Sequence, residues 1–158
     1  MNFLRHQGQQ CAVAPAVRDA VLAGELRLPA GDGAASFVDA EDIAAVAVAA
    51  LTEDKHVGET YELSGPRALT IREVTVLISE ATGRTVRYVS LSHEEFVAEL
   101  VSEGWPTAEA EDYADAVGPI RRDMDSYLSD GVQRALGRPA RDFAQLVKEA
   151  AAAGAWQA

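Results

Sequence analysis

The fold is decided by the stretch SFVDAEDIA, residues 36–44, in which a short apolar segment ends at an aspartate and a helix-forming segment begins. Asp39 is a favoured N-cap residue, because its carboxylate can accept hydrogen bonds from the free amides of the first helical turn. Two further carboxylates in that turn suit the positive end of the helix dipole. We therefore predict a strand over residues 36–38 and a helix over residues 40–52.

The predicted helix over residues 40–52 has an apolar composition. From Ile43 to Leu51 it is apolar on nearly every side and rich in alanine. A helix of this kind is expected in the protein interior, so we predict that it is buried and closely packed. Downstream, ETYELSGP (residues 59–66) alternates in polarity and ends in turn residues, which predicts a strand followed by a turn.

Two more helices are marked by capping boxes, in which a hydroxyl side chain and a glutamate three residues later bond to each other's backbone amides. The first helix is predicted to begin after Thr70 and the second after Ser92, and Gly83 and Gly104 are placed to end them. Between these helices, residues 85–89 alternate as a strand does.

The other elements follow from the same kinds of signal. Proline at a first helical position, glycine after a last one and short apolar runs indicate most of them. Because proline inside a helix removes a hydrogen bond, we expect Pro119 to separate two helices. The remaining predicted elements are a helix from Pro15 to Gly24, a strand over 26–28, helices over 108–117 and 120–128, and a last helix over 143–153.

Length and composition are those of an ordinary globular chain. It has 158 residues, of which 48% are hydrophobic and 25% are charged, and we predict a single α/β domain over residues 1–158. Four short strands are few for six or seven helices. The sheet is therefore either reduced or completed by strands elsewhere.

Charge and cysteine content exclude several classes of partner. The formal net charge of −11 opposes binding to nucleic acid or to an anionic membrane. We assign Arg121, Arg122, Arg138 and Arg141, which stand among acidic residues, to solvated faces. Cys11 is the only cysteine, which is typical of a reducing compartment. With no sustained apolar segment at the start and none elsewhere long enough to cross a bilayer, we predict a cytoplasmic protein.

Motifs for cofactors and metals are not found in the sequence. The only Gly-x-Gly, residues 31–33, precedes no helix and carries an acidic residue, so it fails as a dinucleotide-binding loop. The three histidines are scattered, and we expect them to be exposed to solvent rather than to bind a metal. The aspartates between Asp123 and Asp130 lack the spacing of a calcium loop, and we assign them to a surface helix.

The order of several segments resembles the C-terminal half of the NmrA-like family, an atypical branch of the short-chain dehydrogenase/reductases. The resemblance extends from Ala14 to roughly Ala152 and rests on order and spacing, because no single segment is specific. The matching segments are GELRLPAGDG (24–33), SFVD (36–39) with DIA (42–44), GETYELSGP (58–66), GRTVRYV (83–89) and GRPARDF (137–143).

The resemblance implies a partial Rossmann-like α/β fold with few short strands and a small C-terminal helical lobe. Proteins of this family bind NAD(P)(H) through an N-terminal half and form the substrate pocket with the C-terminal half. Some reduce quinones or other small carbonyl or enone compounds, and others sense the nucleotide without turnover. The glycine-rich half expected before Met1 has no counterpart, and no tyrosine is followed by lysine at the fourth position. NAD(P)H is thus implied by the family, but we expect this chain by itself to bind no cofactor or metal.

The resemblance also implies a set of substrate-binding residues, while the catalytic residues stay unknown. One lies near the nicotinamide end, three line the pocket at the strand and helix start, and two belong to the helical lobe that covers the substrate. These residues are, in that order, Phe3, Phe37, Val38, Asp39, Trp105 and Tyr113.

Most of these residues also have a purely structural interpretation. Phe37 and Val38 suit a packed core, because they precede a helix expected to be buried. Asp39 is better explained as a helix cap than as a catalytic acid. Trp105 and Tyr113 suit lobe packing as well as a pocket, since large amphipathic aromatic side chains serve both uses.

Four functional hypotheses stay open. The first is the substrate-side, small-molecule-binding half of an NmrA-like NAD(P)H-dependent reductase, active only when a Rossmann-type partner chain supplies the nucleotide-binding half in trans. The second is a cofactor-free enzyme of the cyclase or isomerase type, or a ligand-binding homodimer whose contact hides open sheet edges. The third is a nucleotide-sensing regulatory module. The fourth is a truncated product without activity of its own.

Overall fold

The computed structural model describes residues 4–7, 10–13 and 15–157, with side chains from Val17 onward. Its helices are α1 (Pro15–Ala23), α2 (Ala40–Thr52), α3 (Ile71–Thr82), α4 (His93–Ser102), α5 (Thr107–Arg121), α6 (Gly131–Leu136) and α7 (Phe143–Ala152). Its strands are β1 (Leu4–Gln7), β2 (Gln10–Val13), β3 (Glu25–Leu28), β4 (Ala34–Ser36), β5 (Ala68–Thr70) and β6 (Arg87–Ser90). The chain has a mixed α/β fold with few short strands, as predicted.

The strands form three separate pairs. β1 and β2 are antiparallel, as are β4 and β5, in which Ala34 lies opposite Thr70. β3 and β6 are parallel, with Glu25 opposite Arg87. Within the described residues no sheet has more than two strands. Parallel strands such as β3 and β6 must be joined by a crossover connection, which is typical of α/β folds.

The hydrophobic core lies around the β3–β6 pair and is built mainly by α1, α3, α4, α5 and α7. Its most deeply buried members include Val21, Leu69, Ile71, Val117 and Val147. α2 stands apart from this core, because its buried Val46 and Ala49 are not among the core residues and the helix contacts α6. The molecule therefore has one main core and a smaller contact between α2 and α6.

The prediction that α2 is buried on all sides is wrong. Only Asp42, Val46 and Ala49 of this helix are buried, whereas Val48 is 61% exposed and Leu51 is 85% exposed. The helix contacts α6 and β1, and among the described residues nothing covers its opposite face. Apolar composition thus did not guarantee burial, because burial requires a neighbouring element.

Helix starts and ends agree with the predictions from capping residues. The Asp39 carboxylate accepts the Glu41 amide at 2.8 Å, and complete capping boxes begin α3 and α4. Gly83 and Gly104 have φ angles of 68° and 96°, in the left-handed region that glycine adopts at low cost.

The helix predicted over residues 120–128 does not form, and the separation at Pro119 is also wrong. α5 runs through Pro119 to Arg121, which is possible because the proline lies in the last turn, where few further hydrogen bonds are lost. Asp123 then takes a φ of 56°, which ends the helix. The chain turns back onto β4, where the Asp123 carboxylate accepts the Ala34 amide at 2.8 Å and the Asp125 carbonyl accepts the Ser36 amide at 2.8 Å.

Three strand predictions need correction. The strand expected over 36–38 lies at 34–36, where β5 provides its partner, and the strand expected over 85–89 lies at 87–90, opposite β3. No strand forms over residues 59–65. All three corrections have the same cause. The bounds of a strand are set by hydrogen bonds to a neighbouring strand and not by alternation of polarity.

An ion pair between Arg67 and Asp142 is expected to make stability pH-dependent. Arg67 donates to both carboxylate oxygens, at 2.8 and 3.1 Å, and the same carboxylate caps α7 by accepting the Ala144 amide at 2.8 Å. The hydrogen bond from Arg67, more than the cap, holds the pKa of Asp142 below its usual range. The stabilisation is therefore present above the pKa of the unfolded carboxyl group, about 4, and is lost as pH falls through the lower folded-state pKa.

We accordingly expect Asp142→Asn to cost less than about 1 kcal/mol at neutral pH, because the pair is partly solvated. We also expect the variant to lose less stability than the parent chain on acidification below that pKa. Urea unfolding measured at a series of pH values checks this. Asp112→Asn, on the exposed surface of α5, is the control. Identical acid profiles for parent and Asp142→Asn would contradict the assignment.

Candidate functional site

A cavity of about 320 Å³ lies beside residues 35–38, between the end of β4 and the start of α2. Its walls come from residues 35–38, 62–64 and 124–129, together with Ile120 at the end of α5. The turn after α5 reaches this position because its backbone bonds to β4. The cavity is thus made by three segments that are distant in sequence.

The inner wall of the cavity is formed by Phe37 and Val38. Phe37 is buried, and its ring packs at 5.3 Å from the Phe143 ring, which anchors it to α7. Val38 is half-buried. Phe37 therefore serves the core and borders the cavity at once, so the two interpretations of this residue from sequence are compatible.

The polar groups at the base of the cavity bond to one another. The Ser129 amide donates to the buried Ser64 hydroxyl at 2.8 Å, and the Ser129 hydroxyl donates to the Glu62 carbonyl at 2.7 Å. These bonds join the segment at 62–64 to the turn after α5. Neither serine was singled out by the sequence, because their pairing depends on a contact 65 residues apart.

The rim of the cavity combines apolar side chains with carboxylates. Met124 and Tyr127 are 66% and 68% exposed, and the side chains of Glu62 and Asp125 are the only charged ones that border the cavity. No lysine, arginine or histidine lines it in the part of the chain that is described. Apolar walls with a few polar groups suit a small, weakly polar or aromatic ligand, whereas an anion would meet like charge.

Asp39 lies next to Val38 but does not line this cavity. Its carboxylate caps α2 and lies 3.0 Å from the Arg141 guanidinium. Burial raises the pKa of Asp39, and the Glu41 amide and Arg141 oppose that shift. The prediction that Arg141 lies on a solvated face is wrong, since its side chain is only 18% exposed. The arrangement supports the cap interpretation of Asp39.

The two predicted aromatic residues of the helical lobe lie together but away from Phe37. The Trp105 and Tyr113 rings stack at 5.8 Å with an angle of 12°, and Tyr113 also packs on Phe96 at 5.6 Å. Burial raises the pKa of the Tyr113 phenol. Neither residue borders the cavity at Phe37. Phe3, the remaining predicted site residue, lies outside the described residues.

A second cavity, of about 430 Å³, contains a histidine that we expected to be exposed. His56 is buried instead, and its Nδ1 lies 2.7 Å from the Tyr61 hydroxyl. The Arg134 guanidinium lies 5.2 Å from the centre of the Tyr61 ring. The Glu53 carboxylate is 3.8 Å from His56 Nε2 within the turn after α2, and the contact with Tyr61 joins that turn to the following segment. Its burial was not predictable from a lone histidine in a polar turn.

The loop at residues 31–33 does not fit a dinucleotide. A Cβ atom on Gly33 would lie 1.8 Å from the Ile120 carbonyl oxygen, and one on Gly31 would lie 3.2 Å from the Arg121 side chain. These glycines are therefore needed for contact with the end of α5, and the backbone is not open to a phosphate. Among the described residues there is no other Gly-x-Gly.

Two further kinds of feature are absent from the described residues. No group of three or more His, Cys, Asp or Glu side chains is arranged to hold a metal ion. None of the helices there combines the length and apolar character needed to cross a membrane.

The chain is similar to reductases that use nicotinamide nucleotides. It is 40% identical over 130 residues to an NAD(P)H azoreductase of Xenophilus azovorans, which is 82% of this chain and 46% of the relative. Its fold matches the triphenylmethane reductase of Citrobacter sp. with a TM-score of 0.76 and 28% identity, over 87% of this chain and 47% of that one. No protein-family model matches the chain.

A second similar structure contains the nucleotide. The Escherichia coli quinone oxidoreductase QOR2, solved in complex with NADPH, matches with a TM-score of 0.76 and 30% identity over 85% of this chain and 48% of that one. The fold is thus that of the Rossmann-like NAD(P)-binding reductases. More particularly, the chain spans about half the length of the azoreductase, triphenylmethane reductase and quinone oxidoreductase that it matches.

Proposed function

We propose that this chain is the substrate-side half of an NmrA-like NAD(P)H-dependent reductase, binding a small molecule at the Phe37 cavity. The observation that carries the proposal is the match to about half of such reductases, together with a cavity that this half forms. The loop at 31–33 is filled by α5, so we assign nucleotide binding to a separate half supplied in trans. The chain acts as one domain over residues 1–158, in the cytoplasm.

The ligand class follows from the lining of the cavity. Apolar walls and the exposed Tyr127 ring at the rim favour a flat, conjugated molecule held mainly by stacking and dispersion. The two bordering carboxylates, Glu62 and Asp125, disfavour an anionic ligand. The relatives' names, which refer to azo compounds, quinones and triphenylmethane dyes, support the same chemistry for this chain.

The nucleotide assignment is tested by calorimetric titration of the purified chain with NADH and NADPH. We expect no binding at micromolar concentration, because the described residues include no suitable phosphate loop. The chain is then combined with the half of the azoreductase that it does not match, and NAD(P)H oxidation is followed with an azo dye. Micromolar binding by the chain alone would contradict the division of labour, and a combined sample that stays inactive would contradict the reductase function.

We expect Val38→Trp to weaken binding of a neutral azo dye to the chain by about tenfold or more, a loss of about 1.4 kcal/mol. The larger side chain would fill part of a 320 Å³ cavity that Val38 borders. Dye absorbance titration measures the affinity. Val76→Trp, on the exposed face of α3, adds the same ring away from the cavity and is expected to leave the affinity unchanged. Equal weakening by both substitutions would place the dye elsewhere.

A further inference from the structure

A third cavity, of about 410 Å³, lies between the C-terminal ends of α3 and α7. Its walls come from residues 81, 82 and 84, from residues 148, 151 and 152, and from residues 156 and 157. It shares no lining residue with the Phe37 cavity. The two cavities are therefore separate, and each has its own chemistry.

The segment after α7 is held against the body of the protein by α1. Gly154 has a φ of 80°, which lets the chain turn back beyond the helix. Arg18 then donates to the carbonyls of Ala155 and Gln157, at 3.1 and 2.7 Å. Trp156, which lies between these two residues, is only 5% exposed and belongs to the hydrophobic core. The wall that Trp156 gives the cavity is thus a fixed part of the fold.

The charged side chains that border this cavity are both cationic. They belong to Arg84 and Lys148, which are exposed. Neither has a carboxylate within ion-pair distance in the described part of the chain, and no aspartate or glutamate described there lines the cavity. The whole chain has 25 acidic residues and a net charge of −11. A cavity bordered only by cations in so acidic a chain favours an anionic ligand.

A buried donor without an acceptor belongs to the same cavity wall. The indole Nε1 of Trp156 is covered and makes no hydrogen bond. The other buried side-chain atoms without a hydrogen bond, among the described residues, belong to Asp39, Asp42 and His56, and each lies 3.8 Å or less from an oppositely charged or acidic group. Trp156 has no such neighbour. An unpaired buried donor is costly, and an acceptor bound beside it would remove that cost.

The rest of the lining favours a singly charged ligand with an apolar body. Three alanines, Ala81, Ala151 and Ala152, form a small apolar wall beside the Trp156 ring. The carbonyl ends of α3 and α7 carry partial negative charge, which disfavours a doubly charged phosphate. A carboxylate has two acceptor oxygens, which suit two cations and one N–H donor.

We propose that this cavity binds a small aromatic carboxylate. The carboxylate is held by Arg84 and Lys148 and accepts a hydrogen bond from Trp156 Nε1, while the ring packs on the alanines. The site differs in charge from the Phe37 cavity, which is bordered by carboxylates. It is a second ligand site, beyond the proposed function and independent of it.

The test uses the full chain with 2-naphthoate as the probe and calorimetry as the measurement. Uncharged 2-naphthamide and inorganic phosphate are the comparison ligands. We expect 2-naphthoate to bind less tightly as salt is added, and the other two to bind at least about tenfold more weakly than it does. No binding of 2-naphthoate at millimolar concentration would overturn the proposal. So would an amide or a phosphate that binds equally well, since the carboxylate would then not be what the site selects.

A charge-matched pair of variants tests the two cations. Arg84→Gln/Lys148→Gln is expected to weaken 2-naphthoate binding by about tenfold or more. Lys55→Gln/Arg122→Gln changes the net charge equally at exposed positions outside the cavity and is expected to bind like the parent chain. Circular dichroism checks that both variants fold. Equal weakening in both would reflect net charge alone and would overturn the site.

The indole N–H reports where the probe binds. The chain has two tryptophans, so Trp105→Phe assigns the Trp156 indole signal in a nitrogen–proton correlation spectrum. We expect 2-naphthoate to move that signal downfield, because the donor gains an acceptor, and to leave the Trp105 signal in place. Binding that does not move the Trp156 signal would overturn the site. Val38→Trp is expected to leave 2-naphthoate affinity unchanged, and a loss there would place the probe in the Phe37 cavity instead.

Discussion

Gly65→Ala is expected to destabilise the chain by about 3 kcal/mol or more, which lowers the melting temperature by about 6–12 °C for a domain of this size. Gly65 is buried, and a Cβ atom there would lie 2.1 Å from the Phe37 carbonyl oxygen and 3.0 Å from its carbon. The conflict is with backbone, so no rotamer change can relieve it. The 65–66 turn or the strand end at Phe37 must move instead.

The matched control is Gly118→Ala. A Cβ atom at Gly118 would meet only the end of the Arg122 side chain, at 3.8 Å. Alanine favours helix by up to about 1 kcal/mol over glycine, although the following proline reduces that gain, so we expect a change between zero and a small stabilisation. Thermal unfolding of both variants provides the comparison. Similar melting temperatures for the two variants would mean that residue 65 is not held against Phe37.

Gly65→Ala should also affect ligand binding. Phe37 borders the proposed cavity, as do the residues just before Gly65, so displacing either segment changes the cavity wall. We expect dye binding to weaken together with stability in this variant, whereas Gly118→Ala leaves both nearly unchanged.

Asp42→Ala is expected to cost about 3 kcal/mol, because it removes the acceptor of a buried charged contact. The Asp42 side chain is fully buried, and one carboxylate oxygen accepts the Arg141 amide at 2.7 Å. The other oxygen lies 2.7 Å from the Arg138 guanidinium, at an angle that makes an ion pair without a hydrogen bond. Removing the carboxylate leaves a buried amide unpaired and separates the 137–142 loop from α2.

Asp42→Asn is expected to cost less than Asp42→Ala, because the amide oxygen can still accept from the Arg141 backbone. Asp32→Ala is the control, since its side chain is 90% exposed and its contact with Arg72 is 3.5 Å long, so a change of no more than about 0.5 kcal/mol is expected. Denaturant unfolding at neutral pH measures all three. An Asp42→Ala variant as stable as Asp32→Ala would show that the carboxylate does not join the loop to α2.

Helix caps could be predicted from the sequence, whereas the close contacts of two glycines could not. Asp39 and the glutamates three residues after Thr70 and Ser92 were assigned correctly, because capping depends on residues within one helical turn. Gly65 and Gly33 were assigned to turns, but their closest contacts are with Phe37 and Ile120. Such contacts depend on the path of the whole chain.

The candidate site was predicted only in part. Phe37 and Val38 do border a cavity, while Asp39 caps a helix and the Trp105–Tyr113 pair lies in the lobe. The turn after α5 contributes the opposite wall, although the sequence there predicted a helix. Its polar residues have helical spacing, and only the hydrogen bonds to β4 and the left-handed Asp123 decide otherwise.

The sequence by itself determined where most helices start and end, the α/β class, and the kinship that the comparisons support, because caps, periodicity and segment order are local or linear properties. Only the tertiary structure decided which apolar residues are buried. It left one face of α2 exposed and residues 59–65 without a strand partner among the described residues, although their composition predicted a buried helix and a strand. Burial and strand pairing both require a neighbouring element, and the local patterns in SFVDAEDIA and ETYELSGP do not show whether such a neighbour is in place.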